Sequence, residues 1–287
     1  MLGRINYERL RRLDSDETPQ VPFLKWAGGK RWLVQGHASI FPVDYKRYFE
    51  PFLGAGSVFF HLRPQQATLG DINPELIAAY EGVKTDWRSI NASLAYRERV
   101  HKDDDDYYYR VRARCPSDPI ERASRFIYLN RTCFNGIYRV NRNGDFNVPR
   151  GDRDSVRLET DDFQGVAEAL RVADLRVSDF ESLINESSEG DLVFADPPYT
   201  ILHNYNGFKR YNEVLFSWED QERLAICLSL AKDRGVKIVA TNANHKSVRA
   251  LYAEHGFANR VMSRLSRISA DISKRRQFEE LIITANV

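Results

Sequence analysis

Phe49-Glu50-Pro51-Phe52-Leu53-Gly54-Ala55-Gly56-Ser57 follows the apolar run Lys46–Glu50 and opens a helical stretch. Seventeen residues beyond Gly54, a second run, Ala67–Gly70, ends on Asp71. Two glycines separated by one residue permit a tight turn and let a ligand approach the backbone. An acid closing the next strand can accept both hydroxyls of a ribose. Together they fit a nucleoside-containing cofactor. Phe59 stands where the dinucleotide spacing needs its third glycine, which favours S-adenosyl-L-methionine over NAD.

Outward from this unit the same grammar repeats. Leu175–Ser178 ends at Asp179, Asp191–Ala195 at Asp196, and Val236–Ala240 at Thr241 and Asn242. Short apolar runs that end on polar groups read as buried parallel strands with functional carboxyl ends. Helical periodicity lies between them. From Glu219 to Lys232, Leu224, Cys227, Leu228 and Ala231 form one stripe, and Gly235 stops it. Leu281–Thr284 adds a late apolar strand. The expected fold is α/β with a mostly parallel sheet. The alternation breaks from about Thr85 to Ala173, too long for a crossover. The expected organisation is an N-terminal extension (1–20), a catalytic domain (21–84 and 174–287) and an insertion (85–173).

Asp196-Pro197-Pro198-Tyr199 follows the run Leu192–Ala195. Two prolines remove two backbone donors and stiffen the turn. The Asp196 carboxylate and the Pro197 carbonyl are then both acceptors, as an exocyclic amine requires. Adenine N6 shares its lone pair with the ring, so two acceptors on its hydrogens let it pyramidalise and attack a methyl sulfonium. Tyr199 offers a face on which to stack the base. Trp26-Ala27-Gly28-Gly29-Lys30 does not make a phosphate loop. Leu24 stands where the first glycine belongs, and Arg31 follows the lysine.

With 43% apolar and 29% charged residues among 287, the chain is neither disordered nor membrane-spanning. No signal peptide is read at the N-terminus, so a cytoplasmic enzyme is expected. Three scattered cysteines, Cys115, Cys133 and Cys227, support neither a zinc site nor a disulfide framework, and no metal is expected. Net charge is only +2, but it is unevenly spread. Arg122–Arg157 holds eight arginines and three acids, and Arg260–Arg276 holds six basic residues and one acid. Two basic islands suggest surfaces for a polyanion.

These motifs resemble those of the D12-class, Dam-like N6-adenine-specific DNA methyltransferases. The resemblance rests on Phe23–Lys30, Glu50–Gly56, Asp71-Ile72-Asn73, Leu129-Asn130-Arg131, Phe134-Asn135-Gly136, Arg139–Gly151 and Asp196–Tyr199, in matching order. It implies a Rossmann-like S-adenosylmethionine-dependent fold with a seven-stranded sheet and an inserted, largely helical target-recognition subdomain. It implies double-stranded DNA as partner and a monomer, with a dimer as the alternative.

By the same resemblance, Trp26, Lys30, Glu50, Pro51, Gly54 and Gly56 contact the cofactor, and Asp71 holds its ribose. Asp179 and Phe180 flank its adenine ring. Asp196, with Pro197, Pro198 and Tyr199, performs the transfer. Phe134 and Asn135 lie near the space vacated by the flipped base. Arg139 reads a guanine edge and Pro149 packs near a thymine methyl. Arg131, Asn141 and Arg153 complete the DNA contacts. The implied target is GATC or a related short site, although His203–Phe208, Tyr211-Asn212, Arg153 and Ile137 depart from the GATC-modifying members. Two other readings stay open: a cytosine-N4 methyltransferase, which uses the same amine chemistry, and a catalytically silent DNA-binding protein.

Overall fold

The sheet has seven strands: β1 (Tyr48–Glu50), β2 (Ala67–Asp71), β3 (Ala173–Val177), β4 (Leu192–Ala195), β5 (Lys237–Ala243), β6 (Ala258–Leu265) and β7 (Gln277–Ala285). Their order is β3-β2-β1-β4-β5-β7-β6. β3, β2, β1, β4 and β5 run parallel, and β7 lies antiparallel between β5 and β6. The computed structural model describes residues 20–141, 144–200, 216–265 and 277–287. The N-terminal extension, the departures at 203–212 and most of the second basic island lie outside the described residues.

Side-chain alternation divides the core between the two faces. Tyr48, Leu69, Leu192, Phe194, Val239 and Ile282 point into one cluster. Phe49, Val193, Ala195, Ile238, Ala240, Leu281 and Ile283 point into the other. The second face is covered by α7 (Phe180–Asn185), α8 (Trp218–Asp233) and α9 (Lys246–Glu254). Helix α8 buries the Leu224, Cys227, Leu228 and Ala231 stripe and begins with a capping box between Ser217 and Asp220.

The first face carries the N-terminal segment with α1 (Arg31–His37) and α2 (Ser57–Leu62). It also carries α3 (Pro74–Asp103), α4 (Tyr107–Ala113), α5 (Pro119–Thr132) and α6 (Phe163–Leu170). The expected start of the insertion coincides with a break in α3. Asp86 leaves the helical region at φ −148°, ψ 69°. Its carboxylate accepts from the Ser89 backbone N–H and hydroxyl, so it recaps the helix that follows. The helices beyond the break have no separate core. Ile90, Leu94, Tyr108, Phe126 and Ile127 join the cluster that holds Tyr48 and Phe194. The elements that face DNA in the reading above thus share packing with the strands that end at Asp196.

Strand β6 has no counterpart among the apolar runs of the sequence. It is an edge strand in which Met262 is the buried side chain among Ala258–Ser263, so it shows no apolar run. No helix among the described residues is long and apolar enough to cross a membrane.

Candidate active site

The strand order reverses between β1 and β4, and open α/β sheets bind their ligands in the crevice at such a point. Glu50 ends β1, Asp71 ends β2, Asp196 follows β4 and Thr241 lies near the end of β5. All of these polar groups therefore open onto one edge of the sheet.

The Gly54–Gly56 turn is built as its glycines suggest. Both have positive φ, 47° and 64°. A Cβ on Gly54 would stand 2.7 Å from Trp26 Cδ1, so glycine is needed for conformation and for the close approach of the indole. Asp71 Oδ2 accepts the Gly54 N–H at 3.2 Å, and Oδ1 accepts the Asn73 N–H at 3.0 Å. Burial pushes the Asp71 carboxyl up to about 6, against those backbone donors.

Lys30, 3% exposed, lies across the crevice. Its Nζ is 2.8 Å from Asp196 Oδ2 and 3.5 Å from a Glu280 oxygen, and it donates to the Gly28 carbonyl at 2.6 Å. Asp196 Oδ1 accepts the Thr241 hydroxyl at 2.6 Å. Burial raises the Asp196 carboxyl above the usual carboxylate range, and Lys30 holds it back. The Tyr199 hydroxyl donates to Glu280 Oε2 at 2.7 Å, and its ring centroid lies 5.1 Å from Lys30 Nζ. Glu50 is buried and accepts the Tyr48 hydroxyl at 2.7 Å. Burial pushes it up to about 8, so it is mostly protonated at neutral pH. Among the described residues, four acids and one lysine meet here. That set of acceptors suits a ligand with positive groups and a diol, as a nucleoside sulfonium with an ammonium group has.

Two members of this cluster were not singled out as site residues. Thr241 ends an apolar run, a signal of the kind that marks Asp196. Glu280 heads the run Leu281–Thr284, an acid where the strand is otherwise apolar, and only the sheet brings it beside Lys30.

The segment expected to form the insertion is tied to the crevice through the N-terminal segment. The Asn130 side chain accepts the Lys25 backbone N–H and donates to the Lys25 carbonyl, at 2.9 and 2.7 Å. Trp26 stacks on Tyr138 at 6.0 Å between centroids. The Phe134 N–H donates to the Pro149 carbonyl, which places Phe134, Asn135 and Pro149 together on an exposed edge. Asn135 holds a left-handed φ of 57°. Arg139 is exposed at the base of a hairpin and donates through Nε to Asn147 Oδ1 at 2.9 Å. Its two terminal guanidinium nitrogens have no partner among the described residues.

One expectation needs correction, and three other expected site residues have partners within the protein. Arg131 does not reach a surface that DNA could touch. It is fully buried, pairs with both oxygens of Asp161 at 2.7 Å, and donates to the carbonyls of Phe23 and Val156. The Asn141 amide bonds to Asp145 through both its oxygen and its nitrogen and so closes the hairpin turn. The Phe180 ring is 4% exposed, stacked by Phe52, with the Arg223 guanidinium over it at 4.2 Å. Asp179 caps α7 and pairs with Arg223. This pair stands where a cofactor wall is expected, with both side chains held in place by Arg223.

The first basic island is also smaller than its count. Arg122 pairs with Glu75, Arg150 with Asp105 and Asp154, and Arg157 with Glu98. Arg125 caps the backbone of α4. Most of these acids come from outside the Arg122–Arg157 window, which is why the local charge overstated the free arginines. Arg139 and Arg153 remain exposed without a carboxylate partner among the described residues.

Comparison with known proteins agrees with the geometry. Residues 26–265 match the family D12 class N6 adenine-specific DNA methyltransferase. A type II methyltransferase of Lactococcus lactis subsp. cremoris is 33% identical over 275 residues, covering 92% of this chain and 94% of that protein. A DNA adenine methylase of Haemophilus influenzae is 32% identical over 268 residues, 91% of this chain and 92% of the relative. A type II methyltransferase of Methanocaldococcus jannaschii is 31% identical over 283 residues, 91% and 98% respectively. With this extent of match, from the tryptophan beside the glycine turn to the end of β6, the chain belongs to the D12 class N6 adenine-specific DNA methyltransferases.

Proposed function

We propose that the protein methylates N6 of an adenine flipped out of duplex DNA, in GATC or a related short site, with S-adenosyl-L-methionine as donor. The observation that carries this reading is the Asp196 carboxylate, held between Lys30 and Thr241 beside Pro197 and Tyr199. Bound S-adenosyl-L-methionine supplies the electrophilic methyl group. Trp26, Lys30, Glu50, Pro51, Gly54, Gly56 and Asp71 are the residues that would hold it, bordered by Asp179 and Phe180.

Each Asp196 oxygen already accepts one bond and retains capacity for another. Asp196 therefore accepts one N6 hydrogen while the Pro197 carbonyl accepts the other, and the Tyr199 ring supports the base. Lys30 and Thr241 fix the carboxylate before the substrate arrives, so no reorganisation is needed during transfer. N6 would gain the methyl group as the methyl–sulfur bond of the donor breaks to leave a neutral thioether, and would release one proton, which Asp196 is placed to accept.

The test is modification mapping by native DNA sequencing in a host without adenine methylation. N6-methyladenine at one short motif supports the reading. N4-methylcytosine would overturn the base, and unmodified DNA would overturn the activity.

Cofactor affinity should depend on pH through Asp71. Its free carboxyl titrates near 6, and the ionised form is the better acceptor for hydroxyls. Protonation in the free protein therefore competes with binding. The dissociation constant, followed by calorimetry from pH 8 to pH 5, should be flat above about 7 and rise toward tenfold per unit below about 5.5. The Asp71→Asn variant should bind more weakly and lose that rise.

Arg139 is proposed to read a guanine edge, with Phe134, Asn135, Pro149 and Arg153 on the same surface. Arg139→Ala should cost about 1–3 kcal/mol on the preferred site and less on other sequences. Binding curves on matched and mismatched duplexes decide it. An equal loss on every sequence would make Arg139 a phosphate contact.

A further inference from the structure

Glu280 has no role in the reaction as set out above, yet it is placed among the reacting groups. It lies on β7, opposite Ala243 of β5 and Met262 of β6. Its residue is 4% exposed, and the apolar residues Leu281, Ile282 and Ile283 follow it. A carboxylate in such a place is costly to desolvate, and an apolar residue there would serve the sheet better. Its contacts point away from a purely structural role. Oε2 accepts the Tyr199 hydroxyl at 2.7 Å and lies 3.5 Å from Lys30 Nζ, while Lys30 is 2.8 Å from Asp196.

We propose that Glu280 is a positioning residue of the methyl transfer, holding the Tyr199 ring and the Lys30 ammonium in place around Asp196. The inference rests on the function proposed above. The hydroxyl bond fixes where the Tyr199 ring presents its face to the base. The charge draws Lys30 toward β7, so that Lys30 bridges two carboxylates and its shorter contact is with the reacting one. The outermost antiparallel pair of the sheet thereby supports a motif that follows β4. Displacement of an aromatic support by about 1 Å costs on the order of 100-fold in rate.

Two substitutions separate the hydroxyl bond from the charge. Glu280→Gln keeps an acceptor for Tyr199 and removes the charge, whereas Glu280→Ala removes both. The readouts are the single-turnover rate of methyl transfer, DNA affinity and the pH profile of that rate, on protein whose melting temperature confirms folding. Glu280→Ala should slow transfer about 100-fold with DNA affinity within about threefold, and Glu280→Gln should recover roughly tenfold of that loss. Tyr199→Phe should add little to Glu280→Ala, because both break one bond.

Among the described residues the titratable groups facing Asp196 are Lys30, Glu50, Tyr199 and Glu280, and the negative charge of Glu280 opposes ionisation of Asp196. Its removal lets Asp196 ionise at lower pH, so the acid limb of the rate profile should move down in Glu280→Gln. A role confined to packing would not move that limb. Should both folded variants transfer methyl groups within threefold of wild type, or should the acid limb stay in place, the inference is overturned. Failure of the wild-type protein to methylate adenine would instead remove the function on which it rests.

Discussion

Asp196→Ala is expected to lower methyl transfer by on the order of 1000-fold or more while the protein stays folded. The carboxylate performs two tasks at once, taking an amine hydrogen and drawing Lys30 and Thr241 into place. Positioned acid–base groups and preorganised electrostatic partners are each worth roughly 100-fold or more. The fold should survive because Asp196 is 19% exposed at the mouth of the crevice, and Lys30 keeps Glu280 as a counter-charge at 3.5 Å. Asp196→Asn is a harsher test of the chemistry than its size suggests. It retains one acceptor oxygen but turns a donor NH₂ toward Lys30, Thr241 or the substrate amine, so a loss of similar order is expected. Transfer of a labelled methyl group under single-turnover conditions, with circular dichroism as the folding control, decides both. Turnover within tenfold of wild type in either variant would mean that the amine is held elsewhere.

Arg131→Ala is expected to act on stability rather than on DNA binding. The guanidinium is wholly buried, and its five described bonds reach Asp161, Phe23 and Val156. Truncation strands the Asp161 carboxylate and leaves the Phe23 and Val156 carbonyls short of donors. Breaking a buried pair by removing one partner costs about 3–5 kcal/mol. That corresponds to a fall in melting temperature on the order of 10 °C. Arg131→Lys should recover little of it, because an ammonium cannot span the carboxylate bidentately and still reach both carbonyls. Thermal unfolding measures the loss. The salt dependence of DNA binding by the remaining folded protein should be unchanged. A fully stable variant whose salt slope fell would return Arg131 to the phosphate contacts.

The contrast between these two residues shows what a chain of this kind makes legible. Asp196, Asp71 and the Gly54–Gly56 turn were readable because each is a local event: an apolar run of strand length, then a polar group or a turn. Six of the seven strands share that signature or, like β7, are plain apolar runs, and β3 begins two residues before its run. Strand β6 was not readable, because an edge strand buries too little to leave an apolar run in its sequence. Helix α3 breaks at Asp86, one residue past the start expected for the insertion. Side chains of the segment read as an insertion share a core with the sheet, which a linear boundary cannot express.

Residue type alone could not sort the arginines between Arg122 and Arg157. Arg131 and Arg139 are the same side chain eight positions apart in one basic stretch. One ends inside the core because α5 turns it toward Asp161, and the other stays outside because a hairpin carries it to the surface. By itself the sequence determined the strand–turn grammar, the glycine turn, the acceptor pair at Asp196-Pro197 and the class of chemistry they serve, since backbone freedom and hydrogen-bonding capacity are properties of single residues and their neighbours. Only the tertiary structure decided which charges are paired and which face solvent, and which distant acid, Glu280, joins Lys30. Burial and ion pairing belong to contacts between segments far apart in the chain, and the packing of the sheet sets those contacts.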